Sequence, residues 1–479
     1  MSTATIPTAP NSATASDMQQ AFQRQQAHTP VIAATSAKER VAKLKNLQQY
    51  LIDHGPEIEE AIFQDFKKPG METFVSELMV VHGEINHVTK HLSTWMKPSR
   101  VPTPLSMTGT FSHVRYEPRG TVLIISPWNY PVQLTLCPLI TAIAAGNTVI
   151  IKPSELSPNT SAWMAKMVKD LFQPEEIALF EGNHEVAQAL LALPFNHMYF
   201  TGSPQVGKIV MRAAAEHLSS ITLELGGKTP TIVDASANLF SAADKIAWGK
   251  CLNNGQSCVA PDYLMIHESV KDGFVEKFGA ALKRMYGDDA QQSDSFARII
   301  NRRHFDRIVG LLEDAKQKGA KVLIGGKTDP EDLYIEPTLL DGVTAEMRIM
   351  QEEIFGPILP MTTFRDIQEV TPVINSADRE RPLSTYIFSR NKRNIDTILD
   401  GATSGGVAIN ETMIQFGHTE LPKGGVNRSG IGATTGHHGF KAFSHERGVF
   451  IQKYGTLKFL YPPYSDGLKN MIKKALKLI

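Results

Sequence analysis

The sequence predicts an α/β protein of two lobes, each built on a mostly parallel sheet, and three observations carry that prediction. The chain has 479 residues, more than one hydrophobic core holds together. From Gly120 onward, short apolar β-rich runs alternate with segments of helical periodicity, the pattern of strands buried on both faces and joined by helices. The alternation starts again after residue 226, and no internal repeat relates the two halves.

The elements follow in order. Residues 1–16 are rich in Ser, Thr, Ala and Pro and read as a flexible arm; no cationic segment leads into an apolar run, so no secretory leader is expected there. Over 36–69, Val41, Leu44, Leu47 and Leu51 recur at three- and four-residue steps, and Gly55-Pro56 divides the stretch into two helices. Residues 72–97 read as one long helix. Prolines then interrupt the chain, and "SHVRY" alternates as an exposed strand does. "TVLIIS" (121–126) is a buried strand, 133–145 a helix, "NTVIIKPSE" (147–155) a second strand and 158–171 a helix. "HMYFTGS" (197–203) is a third strand, followed by a helix from Pro204 to about His217. The second lobe opens with the strand "TPTIVD", a helix over 238–257, the strand "YLMIHES" and a helix over 269–285. At the end, Leu468, Met471, Ile472, Ala475, Leu476 and Ile479 fall on one helical face. Lys469, Lys473, Lys474 and Lys477 populate the other, and Ser465 or Asp466 can cap the start.

Composition narrows the function. Lys+Arg and Asp+Glu balance at 49 each, without the basic excess of a nucleic-acid binder. The three cysteines, Cys137, Cys251 and Cys258, form no CxxC pair and no metal-ligand spacing with histidine. Neither a disulfide framework nor a metal is expected, and a reducing, cytosolic compartment is. No apolar run reaches the roughly 18–20 residues that span a bilayer.

Several segments can carry chemistry. In "NNGQSCVAPDY", Cys258 has only small and polar neighbours, so its thiolate could attack a bulky electrophile; a buried structural cysteine fits the same residues. Cys251, on the preceding helix, reads as structural. In "LELGGK", Glu224 ends an apolar run beside two glycines, where a carboxylate is desolvated yet reaches a cavity. It is either a general base or a strand-terminating surface residue. In "SPWNYP", Asn129 is either a donor to an oxyanion or a helix cap. "FTGSPQVG" places main-chain N–H groups at a helix start, where a pyrophosphate can bind, although GxGxxG is absent. "KPSE" sets Lys152 and Glu155 at a strand end, suited to ribose hydroxyls.

In order and spacing, "PWNYP", "KPSE", "FTGSPQVG", "LELGGK", "GQSCVAPDY" and "EEIFGP" (352–357) closely resemble the aldehyde dehydrogenase superfamily, over nearly all of the chain after residue 35. "CVAPDY", "FSHERG" (443–448) and "YPPYS" (461–465) are similar to its class 3 branch of fatty, medium-chain, aromatic and coniferyl aldehyde dehydrogenases. The resemblance implies Cys258 as nucleophile, Asn129 as oxyanion donor and Glu224 as the water-activating base. It implies that Lys152 and Glu155 hold the adenosine ribose, that Gly202 and Ser203 form the phosphate turn, and that Glu353 holds the nicotinamide ribose. Phe355 is implied beside the nicotinamide ring, and Trp128 is grouped with the cofactor residues.

The implied fold is a Rossmann-like NAD(P)-binding domain (17–105 and 119–225), an α/β catalytic domain (226–420) and a small β oligomerisation extension (106–118 and 441–456). A C-terminal tail over 457–479 carries the amphipathic helix. The implied reaction is NAD(P)-dependent oxidation of a long- or medium-chain aliphatic or an aromatic aldehyde to its acid, through a cysteine thiohemiacetal and thioester. The alternatives are an acylating enzyme, which Glu224 argues against, and a non-catalytic protein on the same fold. Glu155 repels a 2′-phosphate, which favours NAD, although relatives with this Glu also use NADP. A homodimer is implied, with 466–479 a candidate for peripheral membrane contact or for the substrate entrance. The chain departs from the branch at "LPKGGVN", where Lys423 stands for an aromatic and Asn427 for a glycine, and at "GATTGHHGF" (432–440).

Overall fold

The structure, a computed structural model, describes residues 14–376, 381–455 and 461–475. Two large sheets carry the two lobes. The first has six strands in the spatial order Gly430–Ile431, Ser220–Leu225, His197–Gly202, Thr121–Ile125, Thr148–Lys152 and Ile177–Leu179. All pair in parallel except the short Gly430–Ile431 strand. Numbered along the chain, the five parallel strands run 5-4-1-2-3. The strand order therefore reverses between Thr121–Ile125 and His197–Gly202, and a ligand crevice opens at the carboxyl ends of two strands at such a point. The central strands read as unbroken apolar runs because helices cover both faces. Helix Gln133–Ala145 is buried nearly all round between the sheet and the helices Ala37–Asp53 and Met79–Trp95.

The second sheet has seven strands, in the order Lys321–Ile324, Thr338–Asp341, Ile358–Phe364, Tyr263–His267, Pro230–Val233, Ser384–Phe388 and Gly406–Ile409. Only Lys321–Ile324 is antiparallel. A third, three-stranded antiparallel sheet joins Ser99–Val101, Thr110–Pro118 and Ser444–Gln452. The two stretches expected to form a β extension do pair with each other, Val114 opposite Gly448.

Three expectations need correction. The expected arm ends earlier, because a helix runs over Ala15–Ala33, started by a reciprocal cap. The Thr14 hydroxyl accepts from the Asp17 N–H at 3.2 Å, and the Asp17 carboxylate accepts from the Thr14 N–H at 2.9 Å. Residues 1–13 of that arm lie outside the described residues. The helix expected over 238–257 is Leu239–Cys251; it stops at Leu252, whose ψ of 129° leaves the helix, and Asn253 and Asn254 then both take φ 54°. The helix expected over 72–97 begins at Gly70 and contains a π turn, Phe74–Leu78, before Met79–Trp95. The C-terminal helix is present as Asp466–Ala475; Leu476, Lys477 and Ile479 lie outside the described residues. Among the described residues, no helix is long and apolar enough to cross a membrane.

Candidate active site

A cavity of about 970 Å³ opens at the carboxyl ends of the first sheet and is closed from the other side by loops of the second lobe. Asn129 and Trp128 reach it from the loop after Thr121–Ile125, Gly202 and Ser203 from the end of His197–Gly202, and Glu224 from Ser220–Leu225. Cys258, Glu353 and Phe355 reach it from the second lobe. Eight of the sequence-predicted residues thus share one cavity wall. Lys152 and Glu155 do not: they pair with each other at 2.7 Å at the end of the neighbouring strand, outside that wall.

The Cys258 loop is shaped by residues with left-handed backbones. Asn253 and Asn254 tolerate φ 54° better than most residues, and Gly255 takes φ +70°. A Cβ on Gly255 would collide with the Gly356 carbonyl. The Gln256 side chain then locks the loop. Its amide donates to the carbonyls of Asn253 (3.1 Å) and Arg298 (2.9 Å), and its oxygen accepts from the Ile300 N–H at 2.9 Å. Cys258, half-buried, follows with its thiol in the cavity wall.

Asn129 is held from both ends. Its side-chain amide donates to the Gln256 carbonyl at 3.1 Å, and its main-chain carbonyl accepts from the Asn253 side chain at 2.7 Å. A second amide hydrogen remains for a ligand oxygen. Behind it, the Glu77 carboxylate accepts from the Val132 and Gln133 N–H groups at 2.9 and 3.0 Å, at the start of helix Gln133–Ala145. Lys68 pairs with that buried carboxylate at 3.0 Å.

Glu224 is buried, and its Oε1 has no hydrogen-bond partner. Burial pushes its carboxyl well above the usual range, and the Lys423 cation offsets this in part. Glu353 is pushed up to about 8, first by burial and then by the Asp262 carboxylate; the Gly227 N–H donates to its Oε1 at 3.3 Å and opposes the shift. Burial, followed by the charges of Glu353 and Glu224, pushes the Cys258 thiol up to about 12. Burial thus favours the neutral forms of both carboxyls and of the thiol.

Sequence reasoning missed the residues that position the 349–355 segment. Lys228 pairs with Asp262 and donates to the carbonyls of Ile349 (2.8 Å) and Glu352 (2.9 Å). Asp262 accepts from the Ile354 N–H at 2.9 Å, and Arg307 donates to the Glu353 and Ile354 carbonyls at 3.1 and 2.6 Å. Together they hold Phe355 at φ 53°, its ring edge-on to Trp128 at 5.6 Å. Lys228 and Asp262 lie inside the quoted "LELGGK" and "CVAPDY"; a buried cation and anion, each near a glycine or proline, were the available signal.

The cavity also has the features a dinucleotide requires. The Ser203 hydroxyl accepts from the Val206 N–H at 3.4 Å and caps helix Pro204–Glu216, whose free N–H groups and positive dipole end open onto the cavity beside Gly202 and Lys208. Glu353 and Cys258 line the same cavity.

Comparison with known proteins agrees with this geometry. The sequence model of the Aldehyde dehydrogenase family matches residues 2–449. The chain is 40% identical to Aldehyde dehydrogenase family 3 member B2 of Mus musculus over 440 residues, 91% of this chain and 90% of that one. Among solved structures, the substrate-bound state of Staphylococcus aureus AldH superposes with a TM-score of 0.91 at 40% identity, covering 96% of this chain and 99% of that one. An indole-3-acetaldehyde dehydrogenase complexed with NAD+ superposes with a TM-score of 0.84 at 26% identity, covering 92% and 90%.

Proposed function

The chain belongs to the aldehyde dehydrogenase family, an oxidoreductase family that converts aldehydes to acids, and on that premise we propose that Cys258 is the nucleophile, Asn129 the oxyanion donor and Glu224 the base. The observation that carries the proposal is the meeting, in one cavity wall, of a thiol, an amide fixed by Gln256 and a buried carboxyl with an unpartnered oxygen. Cys258 adds as its thiolate to the aldehyde carbon. The alkoxide is held by the second amide hydrogen of Asn129 and the Cys258 N–H. Loss of hydride leaves a thioester on Cys258. Glu224, whose raised proton affinity suits a base working near neutral pH, takes a proton from water, and the water oxygen attacks the thioester carbon. Collapse releases the acid and returns the thiolate. An acylating reading, in which another acceptor replaces water, leaves Glu224 without work.

NAD fits the cavity, and when bound its nicotinamide supplies the hydride acceptor. Gly202, Ser203 and the start of helix Pro204–Glu216 would hold the pyrophosphate, Glu353 a ribose diol, and Phe355 and Trp128 the ring side. Lys152 and Glu155 would reach the adenosine ribose past the cavity wall, with Glu155 disfavouring a 2′-phosphate without barring NADP. By this reading the first lobe is the cofactor domain and the second the catalytic domain. Steady-state rates with NAD and NADP over short, long and aromatic aldehydes test the proposal; no reduction of either cofactor by any aldehyde would contradict it.

The small antiparallel sheet supports a homodimer. Its edge strand Ser444–Gln452 is exposed and carries the exposed Phe450 and Ile451, a surface that another chain can cover. Light scattering that finds only the 52.8 kDa species would count against it. The C-terminal helix, with Met471 exposed and Lys469, Lys473 and Lys474 on its polar side, is proposed to meet long-chain aldehydes or an anionic membrane surface. Removing 466–479 should then change KM for long aldehydes more than for short ones; equal effects leave only a packing role. Three free cysteines agree with a cytosolic location.

A further inference from the structure

Helix Met79–Trp95 carries His87 and His91 one turn apart, on the same face, opposite the Glu420 carboxylate of the segment after Ile414–Gly417. One ligand atom from each of the three lies within 4.8 Å of the others. His87 Nδ1 and Glu420 Oε1 are 3.6 Å apart, too far for a hydrogen bond. Two ligands of a tetrahedral metal with bonds of about 2.0–2.2 Å are separated by about 3.3–3.6 Å, so this pair already has the required spacing.

The rings are also prepared for it. His91 Nδ1 faces the His87 main-chain carbonyl at 2.9 Å, so it carries the proton and leaves the Nε2 lone pair free. The His87 side chain is only 9% exposed, and its Nε2 has no hydrogen-bond partner. Trp95 and His437 stack beneath the pair, their ring centres 5.1 Å apart, and restrict its rotation. Glu420 is exposed and free to close the remaining distance.

We infer that His87, His91 and Glu420 form a binding site for one divalent transition-metal ion, zinc by the two-imidazole, one-carboxylate ligand set, with the fourth position left to water. The two histidines form an H-x-x-x-H motif at 87–91 of the sequence. The metal acts as a clamp. One turn before His87, Glu84 already accepts from the Gly436 N–H at 2.6 Å, so the helix holds the 418–436 segment at one end. Zinc would hold its other end, and the segment between includes Asn427 and Ser429 of the cavity wall.

The test uses the full chain without an affinity tag, in a Cys258→Ala background so that the cavity thiol cannot capture metal. After treatment with chelator, zinc chloride is titrated by calorimetry. The expected result is saturable binding of one zinc ion per chain, weakened at least about tenfold by Glu420→Gln and lost in His91→Gln. Because Glu420 is exposed, its variant should keep the parent's far-ultraviolet circular dichroism. Zinc should raise the unfolding temperature of the parent and not that of Glu420→Gln. No saturable binding, or binding equal in the parent and both variants, would overturn the inference.

Discussion

The Asn129 side-chain amide donates to the Gln256 carbonyl at 3.1 Å, and Gln256 precedes Cys258 by two residues. This bond ties a strand-end loop of the first lobe to the thiol's loop in the second. It fixes the direction of the remaining amide hydrogen before any substrate arrives. Replacing Asn129 with Ala should lower kcat by about 10²–10³, the usual cost of one oxyanion donor. NAD affinity, followed by fluorescence titration, should stay within about twofold of the parent, since the proposed cofactor contacts lie elsewhere. A kcat within tenfold of the parent would show that the amide does not face the oxyanion.

Gly255 makes the same loop possible. Its φ of +70° and the Gly356 carbonyl beside it leave no place for a side chain. The Gly255→Ala variant should lose at least about 2 kcal/mol of stability, from backbone strain together with the collision. Urea unfolding measures this, and an unchanged midpoint would mean that the loop relaxes freely.

The charge state of the site predicts a pH profile. Burial and two neighbouring carboxyls hold the Cys258 thiol near 12, so thiolate is scarce at neutral pH and grows about tenfold per unit as pH rises. Alkylation of Cys258 by iodoacetamide, followed by peptide mass spectrometry without cofactor, should climb through pH 9.5. An ordinary thiol would level off near its usual pKa of about 8.5. Ionised Glu353 opposes the thiolate, so Glu353→Gln should react faster than the parent at pH 9. A plateau near pH 8.5 in the parent would contradict the electrostatic account.

The legible parts of the sequence were those in which burial writes itself into composition. The strands Thr121–Ile125, Thr148–Lys152 and His197–Gly202 are buried along most of their length, so their side chains form plain apolar runs, and the helix between the first two was read to the residue. Helix Ala15–Ala33 was missed because its docking is partly polar: the Gln25 amide donates to the carbonyls of Val149 (2.9 Å) and Pro174 (3.1 Å), which no hydropathy pattern reports. The overrun of the 238–257 helix has a backbone cause: Leu252 leaves the helix and two asparagines in the left-handed region follow, and these residue types are compatible with either state.

At the site, motif order identified the residues that meet in the cavity; in the first lobe Asn129, Gly202, Ser203 and Glu224 lie at or just after strand ends. Lys152 and Glu155 sit at an equivalent strand end, but on the opposite side of the reversal point from Glu224, and they are not part of the cavity wall. Lys228, Asp262 and Arg307 act by holding main-chain carbonyls and N–H groups distant in sequence, which only the folded chain displays.

The central claim is that Cys258 carries the acyl group and Glu224 removes it by activating water. Mixing the Glu224→Gln protein with NAD and a reactive aldehyde, quenching in acid and mapping peptides by mass spectrometry tests both halves together. The account predicts a burst of NADH followed by slow turnover, with an acyl group on the Cys258 peptide in proportion to the burst and none on the buried Cys137 or Cys251. NADH formed at the parent's steady rate with no adduct on Cys258, or an adduct on either of the other cysteines, would contradict it.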